Sequence, residues 1–326
     1  MCTAISIYGA SKLFGRTLDL DLSYWESVVI TPRNFRLRLL YEKEFDKHLS
    51  ILGVAAIQND FPLYYDAVNE AGLAMAGLNF PKNAVYLKQK KSMYNVASFE
   101  LVLWVLGQCK NVREAAELLK NTNITPDSFS DDLVSTPLHW MIADRERSIV
   151  AEPTSGGITI YENDIGVLTN APAFSYHITH LSDFMNISSS TPSNNICPST
   201  ELDVYSRGMG AIGLPGDFSS ASRFVRAVFA KEHTSAALSK REEISRFFHI
   251  MDTVSVPCGC IRIDEGKSVR TLYTSCIDMD TLTYHFTTYG CRRIRAVRLD
   301  DKRAEQNRLA VFQMDIGEDV FELCEN

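Results

Sequence analysis

Ile5 and Ile7 alternate with Ala4 and Ser6 near the start of the chain. That two-residue period predicts a strand. Short apolar runs follow at 13–18, 27–30 and 35–40, and the stretch 73–80 (LAMAGLNF) predicts a further strand running into a polar turn. The period then lengthens. Residues 99–109 and 112–119 carry apolar side chains at three-to-four spacing, which predicts two helices, the second capped by Asn111. Strands resume at 138–143 and 148–151, joined as a hairpin across Arg145-Glu146-Arg147, and 158–161 pairs with 166–169 across Asn163-Asp164. Residues 174–185 read as helical, and 222–232 as amphipathic, with Phe224, Val225, Val228 and Phe229 on one face. A further helix fits 240–251, and strands 270–277 and 281–288 flank Asp278-Met279-Asp280 as a hairpin. The Ser/Pro-rich stretch 186–199 and the Gly-rich stretch 207–216 have no periodicity, and that length predicts a functional or interface loop.

Strands at both ends with helices between them predict two sheets with helices outside, rather than a βαβ repeat. No Pro/Gly/Ser linker and no internal repeat divides the chain, so residues 1–326 are expected to form one domain, although length alone suggests two. No Gly-rich phosphate fingerprint is present. With 45% hydrophobic and 22% charged residues the composition is that of a soluble globular protein. The net charge of −7 gives no footprint for nucleic acid. Arg292, Arg293, Arg295 and Arg298 alternate with Ile294 and Val297, the pattern of a strand's wet face. The most apolar stretch, 99–106, is too short to span a bilayer, so no membrane insertion is expected. The eight cysteines are scattered, unlike a secreted disulfide framework, and predict reduced thiols in a cytoplasm. Cys258-Gly259-Cys260 lacks a second pair at zinc spacing, so no metal site is expected there. His177 and His180, three apart on a helix, are expected to face solvent.

The chain opens Met1-Cys2-Thr3. A methionine before a small side chain is normally trimmed, which leaves Cys2 with a thiol and a free α-amine on one residue. The amine titrates near ~7.7–8.0 and the thiol near ~8.5. Such an amine can take the proton of its own nucleophile. The other reading of Cys2 is a small buried hydrophobe on a first strand.

Four further segments each set a polar residue beside a strand end or helix start. They are Phe14-Gly15-Arg16-Thr17-Leu18-Asp19, Gly77-Leu78-Asn79-Phe80, Leu168-Thr169-Asn170-Ala171-Pro172 and Ser222-Arg223-Phe224-Val225-Arg226. In this order, with Leu214-Pro215-Gly216-Asp217 and the Met1-Cys2-Thr3 start, the whole chain resembles the choloylglycine hydrolase family of bile salt hydrolases and penicillin V acylases. The resemblance implies an N-terminal nucleophile hydrolase. Its fold would be an α+β, four-layer αββα sandwich of two antiparallel sheets between helical layers, with a mature chain starting at Cys2. It implies Cys2 as nucleophile, Arg16 against the sulfur, Asp19 orienting the α-amine, and Asn79 and Asn170 as donors to the oxyanion. Arg223 would add positive charge, in preference to Arg226, which would pair on the helix surface. No metal or organic cofactor is implied: the amine leaves, then water hydrolyses an acyl-thioester.

Within the family, asparagine at position 79 resembles the bile-salt type. The implied substrate is a glycine- or taurine-conjugated bile salt, the alternative being penicillin V. Trp25, Phe61, Leu63 and Tyr64 are expected on loops, where they either wall an apolar pocket or belong to the core. A homotetramer is usual in the family, with 186–216 at a subunit contact. A third reading is a binding protein on the same scaffold, its nucleophile blocked by retained Met1.

Overall fold

The structure is a computed structural model that describes residues 1–42, 47–237, 239–264, 266–314 and 317–323; Cys324 lies outside them. β1 (Cys2–Tyr8) and β2 (Lys12–Leu20) form a hairpin that sets Cys2 opposite Leu18 and Ala4 opposite Arg16. The chain then builds a second sheet as an antiparallel meander: β3 (Ser27–Thr31), β4 (Ile51–Gln58), β5 (Phe61–Asn69) and β6 (Ala74–Asn79). A parallel pair, β7 (Tyr94–Ala97) and β8 (Thr122–Thr125), brackets α1 (Leu101–Leu106) and α2 (Val112–Lys120). β9 (Leu138–Ala143), β10 (Ser148–Thr154) and β11 (Gly157–Glu162) extend the second sheet from β6. β12 (Val167–Leu168) returns to the first sheet beside β1. α3 (Phe174–Leu181), α4 (Ser220–His233) and α5 (Lys240–Asp252) follow. β13 (Ile261–Asp264), β14 (Lys267–Asp278), β15 (Thr283–Thr288) and β16 (Cys291–Arg298) complete the first sheet. After α6 (Asp301–Ala304), β17 (Ala310–Gln313) closes the second sheet against β3. Among the described residues the orders are β12-β1-β2-β14-β15-β16, with β13 on β14, and β11-β10-β9-β6-β5-β4-β3-β17.

The strand period assigns the layers. On β6, Ala74, Ala76 and Leu78 pack with Ala4 and Phe14 of the first sheet, while Met75 packs with α1 and α2. On β9, Met141 and Ala143 join the first core, and Trp140 and Ile142 the second. Phe224, Phe247 and Met251 bring α4 and α5 onto the first sheet. The protein is therefore α+β, with two antiparallel sheets between helical layers. β1 and β2 are buried on both faces because they lie inside this stack. Side-chain caps start the main helices: Asn111 accepts from Glu114, Ser219 from Ser222 and Ser239 from Glu242.

Several expectations are corrected. The run 35–40 is a turn-rich connection with only an isolated bridge at Leu37; Leu37 and Leu39 are apolar because they fill the second core. Phe61, Leu63 and Tyr64 lie on β5, not on a loop. The turn before them, Asn59-Asp60, has φ of 51° and 60°, the left-handed pair of a two-residue hairpin. Residues 166–169 do not pair with 158–161: Ser6 N–H donates to Gly166 O, and the chain crosses to the first sheet. His177 is 1% exposed, because its ring stacks on Phe224 of α4 at 5.0 Å.

Candidate active site

Alternate residues of β1 face opposite layers. Ser6 Oγ donates to Ser148 Oγ on the second sheet at 3.3 Å, and Arg223 Nη1 on α4 donates to Thr3 Oγ1 at 2.7 Å. Cys2, Ala4 and Ser6 thus look into the space between the sheets. Arg16 sits opposite Ala4 on the same face, and its Nη2 donates to Cys2 Sγ in a short contact. The rest of the Arg16 fork is spent on backbone carbonyls. Nη1 donates to Gly77 O at 2.7 Å and Tyr65 O at 3.2 Å, and Nε to Thr17 O at 3.1 Å. This holds the guanidinium rigid across both sheets.

The sulfur lies on the wall of a cavity of about 370 Å3, which Arg16 and Asn79 also line. Leu18, Leu20, Leu63, Phe99, Phe129 and Leu138 make it apolar, and Tyr64 contributes as well. Phe61 is set back, its ring 6.2 Å from Phe99 and 5.8 Å from Phe129. Trp25 is not among the lining residues; it is 86% exposed, at φ 62°. The turn around it is fixed by Glu26, which accepts from Ser23 Oγ and Tyr24 N–H, and it is Tyr24 that lines the cavity. A larger cavity of about 630 Å3 lies between α5 and β14–β16. It holds no nucleophile beside a cation, so size does not make it the reactive site.

Asn170, just past β12, is the hub on the helix side. Its Oδ1 accepts from Cys2 N–H at 2.9 Å and from Arg223 Nη2 at 2.7 Å. Its Nδ2 donates to Asn79 O at 2.7 Å, which leaves one of its two hydrogens unused. Arg223 Nη1 also donates to Cys2 O at 2.6 Å, and its Nε to Phe218 O at 3.0 Å. Asp19 lies farther along β2, where Thr271 Oγ1 donates to its Oδ1 at 2.7 Å and Thr17 Oγ1 to its Oδ2 at 3.2 Å. The Met1 ammonium donates to the Asp19 backbone oxygen at 2.6 Å. With Met1 in place, then, the Cys2 nitrogen is held by Asn170, and the Asp19 carboxylate by two threonines. The sequence reading expected that carboxylate at the Cys2 nitrogen.

Arg16 and Arg223 are both fully buried. Burial alone depresses each of them. At Arg16 the surrounding acidic groups, Cys2 first, then Tyr273, Asp66 and Asp19, together outweigh it and the net direction is up. At Arg223 burial wins over Asp19 and Cys2, and the net direction is down. Asp66, buried behind Arg16, accepts from Tyr273, Ser275 and Tyr284 hydroxyls; burial raises its pKa against the pull of Arg16. Two buried cations flank one thiol, so negative charge on the sulfur is compensated where it forms.

Sequence reasoning missed the supports. Thr271, Asp66 and His177, whose Nε2 donates to Asn170 O at 2.8 Å, carry no local motif. Only His177 left a signal, as a polar residue on the apolar stripe of a helix. Arg226 donates to Pro215 O, Asp217 O and Thr253 O, pinning the loop before α4. Hydrogen bonds from Ser222 and Ser219 hold Asp217 down at about 2.

The model of the linear amide C–N hydrolases, choloylglycine hydrolase family, matches residues 2–312. The chain is 41% identical, over 96% of its length and 97% of the relative's, to a bile salt hydrolase/transferase of Lactiplantibacillus plantarum. A mutant conjugated bile acid hydrolase from Clostridium perfringens superposes with a TM-score of 0.92 at 32% identity, over 99% of this chain and 100% of that one. A penicillin V acylase from Agrobacterium tumefaciens shares the fold, with a TM-score of 0.76 at 19% identity over 98% and 94% of the two chains. Matched along nearly its whole length, with a cysteine at the reactive wall of its cavity, the chain belongs to the choloylglycine hydrolase family of linear amide C–N hydrolases.

Proposed function

We propose that the protein hydrolyses the amide bond of glycine- or taurine-conjugated bile salts, with Cys2 as nucleophile after Met1 is removed. The observation that carries this is the Cys2 thiol, held against Arg16 on the wall of an apolar cavity of about 370 Å3. The freed α-amine takes the thiol proton, and the thiolate attacks the amide carbon. Arg16 and Arg223 balance the charge. The side chains of Asn79 and Asn170 donate to the oxyanion, each having a donor hydrogen that no described protein atom takes up. Asp19 fixes the α-amine end through its place beside Met1, tied by Thr17 and Thr271. The α-ammonium returns the proton to the departing glycine or taurine nitrogen. Water then cleaves the acyl-thioester and restores the thiol. Leu63, Tyr64 and the Phe61–Phe99–Phe129 cluster read the steroid by apolar contact; Trp25, 86% exposed, is outside that lining.

The likeness to bile salt hydrolases at 41% identity supports this substrate over penicillin V, where the likeness is one of fold. The chain is read as one domain and as a homotetramer, with 186–216 at a subunit contact. That segment exposes Ile196, Leu202, Tyr205 and Ile212. A cytoplasmic location accords with seven unpaired thiols among the described residues; no helix there is long and apolar enough to cross a membrane. The test is turnover of glycocholate and taurocholate beside penicillin V, with intact mass on the same sample. The expected result is a chain lacking Met1 that prefers the bile salts. Faster cleavage of penicillin V overturns the substrate, and full activity with Met1 retained overturns the mechanism.

A further inference from the structure

We infer that a buried, hydrogen-bonded His139–Glu152 pair positions the two site asparagines relative to one another. His139 lies on β9 and is fully buried, as is Glu152 on β10. The imidazole touches the segments that carry both asparagines. Its ring stacks on Phe80, the neighbour of Asn79, at 4.2 Å and 8°. Its Nε2 meets Thr169 O, one residue before Asn170, at 3.0 Å. Its Nδ1 meets Glu152 Oε1 at 3.2 Å, and the same oxygen accepts from Phe174 N–H at 2.8 Å, at the start of α3.

One proton is fixed by its partner. A carbonyl only accepts, so Nε2 carries a hydrogen. Between Nδ1 and Glu152 Oε1 one further proton is shared, on the ring or on the carboxyl, and in both cases Oε1 still accepts Phe174 N–H. Phe80 covers the ring face. Such a pair is costly to break from one side, because the remaining polar group is buried without its partner. The pair therefore acts as a clamp: β9 and β10 hold it, while Phe80 and Thr169 are held by it. Neither residue reaches the cavity lining, so both act through Asn79 and Asn170 and are positioning residues.

Glu152→Gln tests this without changing the side chain's size. With the ring neutral and Nε2–H kept on Thr169 O, the single glutamine atom in the place of Oε1 cannot both accept Phe174 N–H and donate to Nδ1, so one of these contacts is lost. The full-length enzyme, its active sites counted by iodoacetamide incorporation at Cys2, is assayed on glycocholate. The positioning part of the inference rests on the proposed amidase reading, so kcat of Glu152→Gln should fall about 10²-fold, with KM and the Cys2 alkylation rate within about twofold. His139→Gln should behave alike. Nitrogen-15 NMR of the histidines should show the His139 ring protonated at Nε2 in the wild type, with its signals shifted in Glu152→Gln, and a crystal structure of Glu152→Gln should show Asn170 displaced from Asn79 O. Unchanged kcat per titrated site, or a rise in KM alone, overturns the inference. So does an unmoved Asn170 or a His139 ring without a proton on Nε2. If the wild type cleaves no conjugated bile salt, the substrate reading falls, while the NMR and crystallographic readouts still decide the clamp.

Discussion

At the scale of single residues, Cys2, Arg16, Asn79, Asn170 and Arg223 come together in one hydrogen-bonded cluster. The sequence names these residues and does not show their contacts. That Asn170 Oδ1 joins Cys2 N–H to Arg223 depends on a strand crossing 168 residues away in the chain, which no local pattern carries. Cys2→Ala should abolish turnover and Cys2→Ser nearly so, with melting temperature little changed, because each replacement fits the site of a small buried side chain; residual turnover in the alanine variant would name another nucleophile. Asn79 makes a sharper test. Its Oδ1 is buried and no described protein atom bonds it, whereas its backbone oxygen is what Asn170 uses. Asn79→Ala should cost ~10²–10³ in kcat while leaving the melting temperature equal or higher, since a buried orphan acceptor is removed. A normal kcat would exclude the side chain from the oxyanion. His177 adds a pH signature. Burial lowers its pKa below the ordinary 6.5, against the donor bond to Asn170. The unfolded chain therefore binds the proton first, and stability is lost as pH falls below about 6.5. In melts between pH 7.5 and 5.5, chosen as about one unit either side, His177→Gln should lose less stability than wild type; equal losses would show that another group carries the acid sensitivity.

Elements translate these residues into geometry through register. A one-residue slip of β1 on β2 would turn Cys2 from the cavity toward α4 and leave Arg16 without its sulfur. Gly15 protects that register. A Cβ there would meet Ser275 O at 2.0 Å and the Phe247 ring at 2.9 Å, so β2 could not lie this close to β14 beneath α5. Gly15→Ala should destabilise by about 1–3 kcal/mol or more and lower kcat as well, because Arg16 is the next residue; a fully active, wild-type-stable variant would mean the strand shifts freely. Elements with clean periodicity were legible: β6, β9, α2, α4, α5 and the β14–β15 hairpin follow the pattern of their side chains. β4 and β5 were not, because both faces are largely buried and the apolar residues do not alternate with polar ones. Phe61, Leu63 and Tyr64 were consequently set on a loop. The run 35–40 failed in the opposite sense, since a core-filling connection has a strand's composition without its ladder.

Over the whole molecule, the class of fold was legible and its closure was not. Strands at both ends of the sequence announce two sheets, yet nothing local says that β17 pairs with β3 or β12 with β1. The first joins the C-terminal part of the described chain to the second sheet, and the second brings Asn170, just past β12, to the Cys2 nitrogen. The same scale sets assembly. Ile196 is 90% exposed and Tyr205 82%, in a segment whose described structure has one short 3-10 turn, Met209–Ala211. Large apolar side chains clustered on a long connection mark a contact surface more than a folding core, and ordering so many residues needs area buried by a partner to offset the entropy. Identical copies each carry a net charge of −7, so apolar contact has to offset their mutual repulsion. Light scattering should therefore report a tetramer of the 36.6 kDa chain. Ile196→Asp with Tyr205→Asp should shift it to smaller species, since a buried unpaired carboxylate is strongly disfavoured. Activity per chain on glycocholate should survive in the dissociated form, because Cys2, Arg16, Asn79 and Asn170 all come from one chain and none lies in this segment. A wild-type monomer, or a tetramer indifferent to both aspartates, would remove the 186–216 segment from the interface.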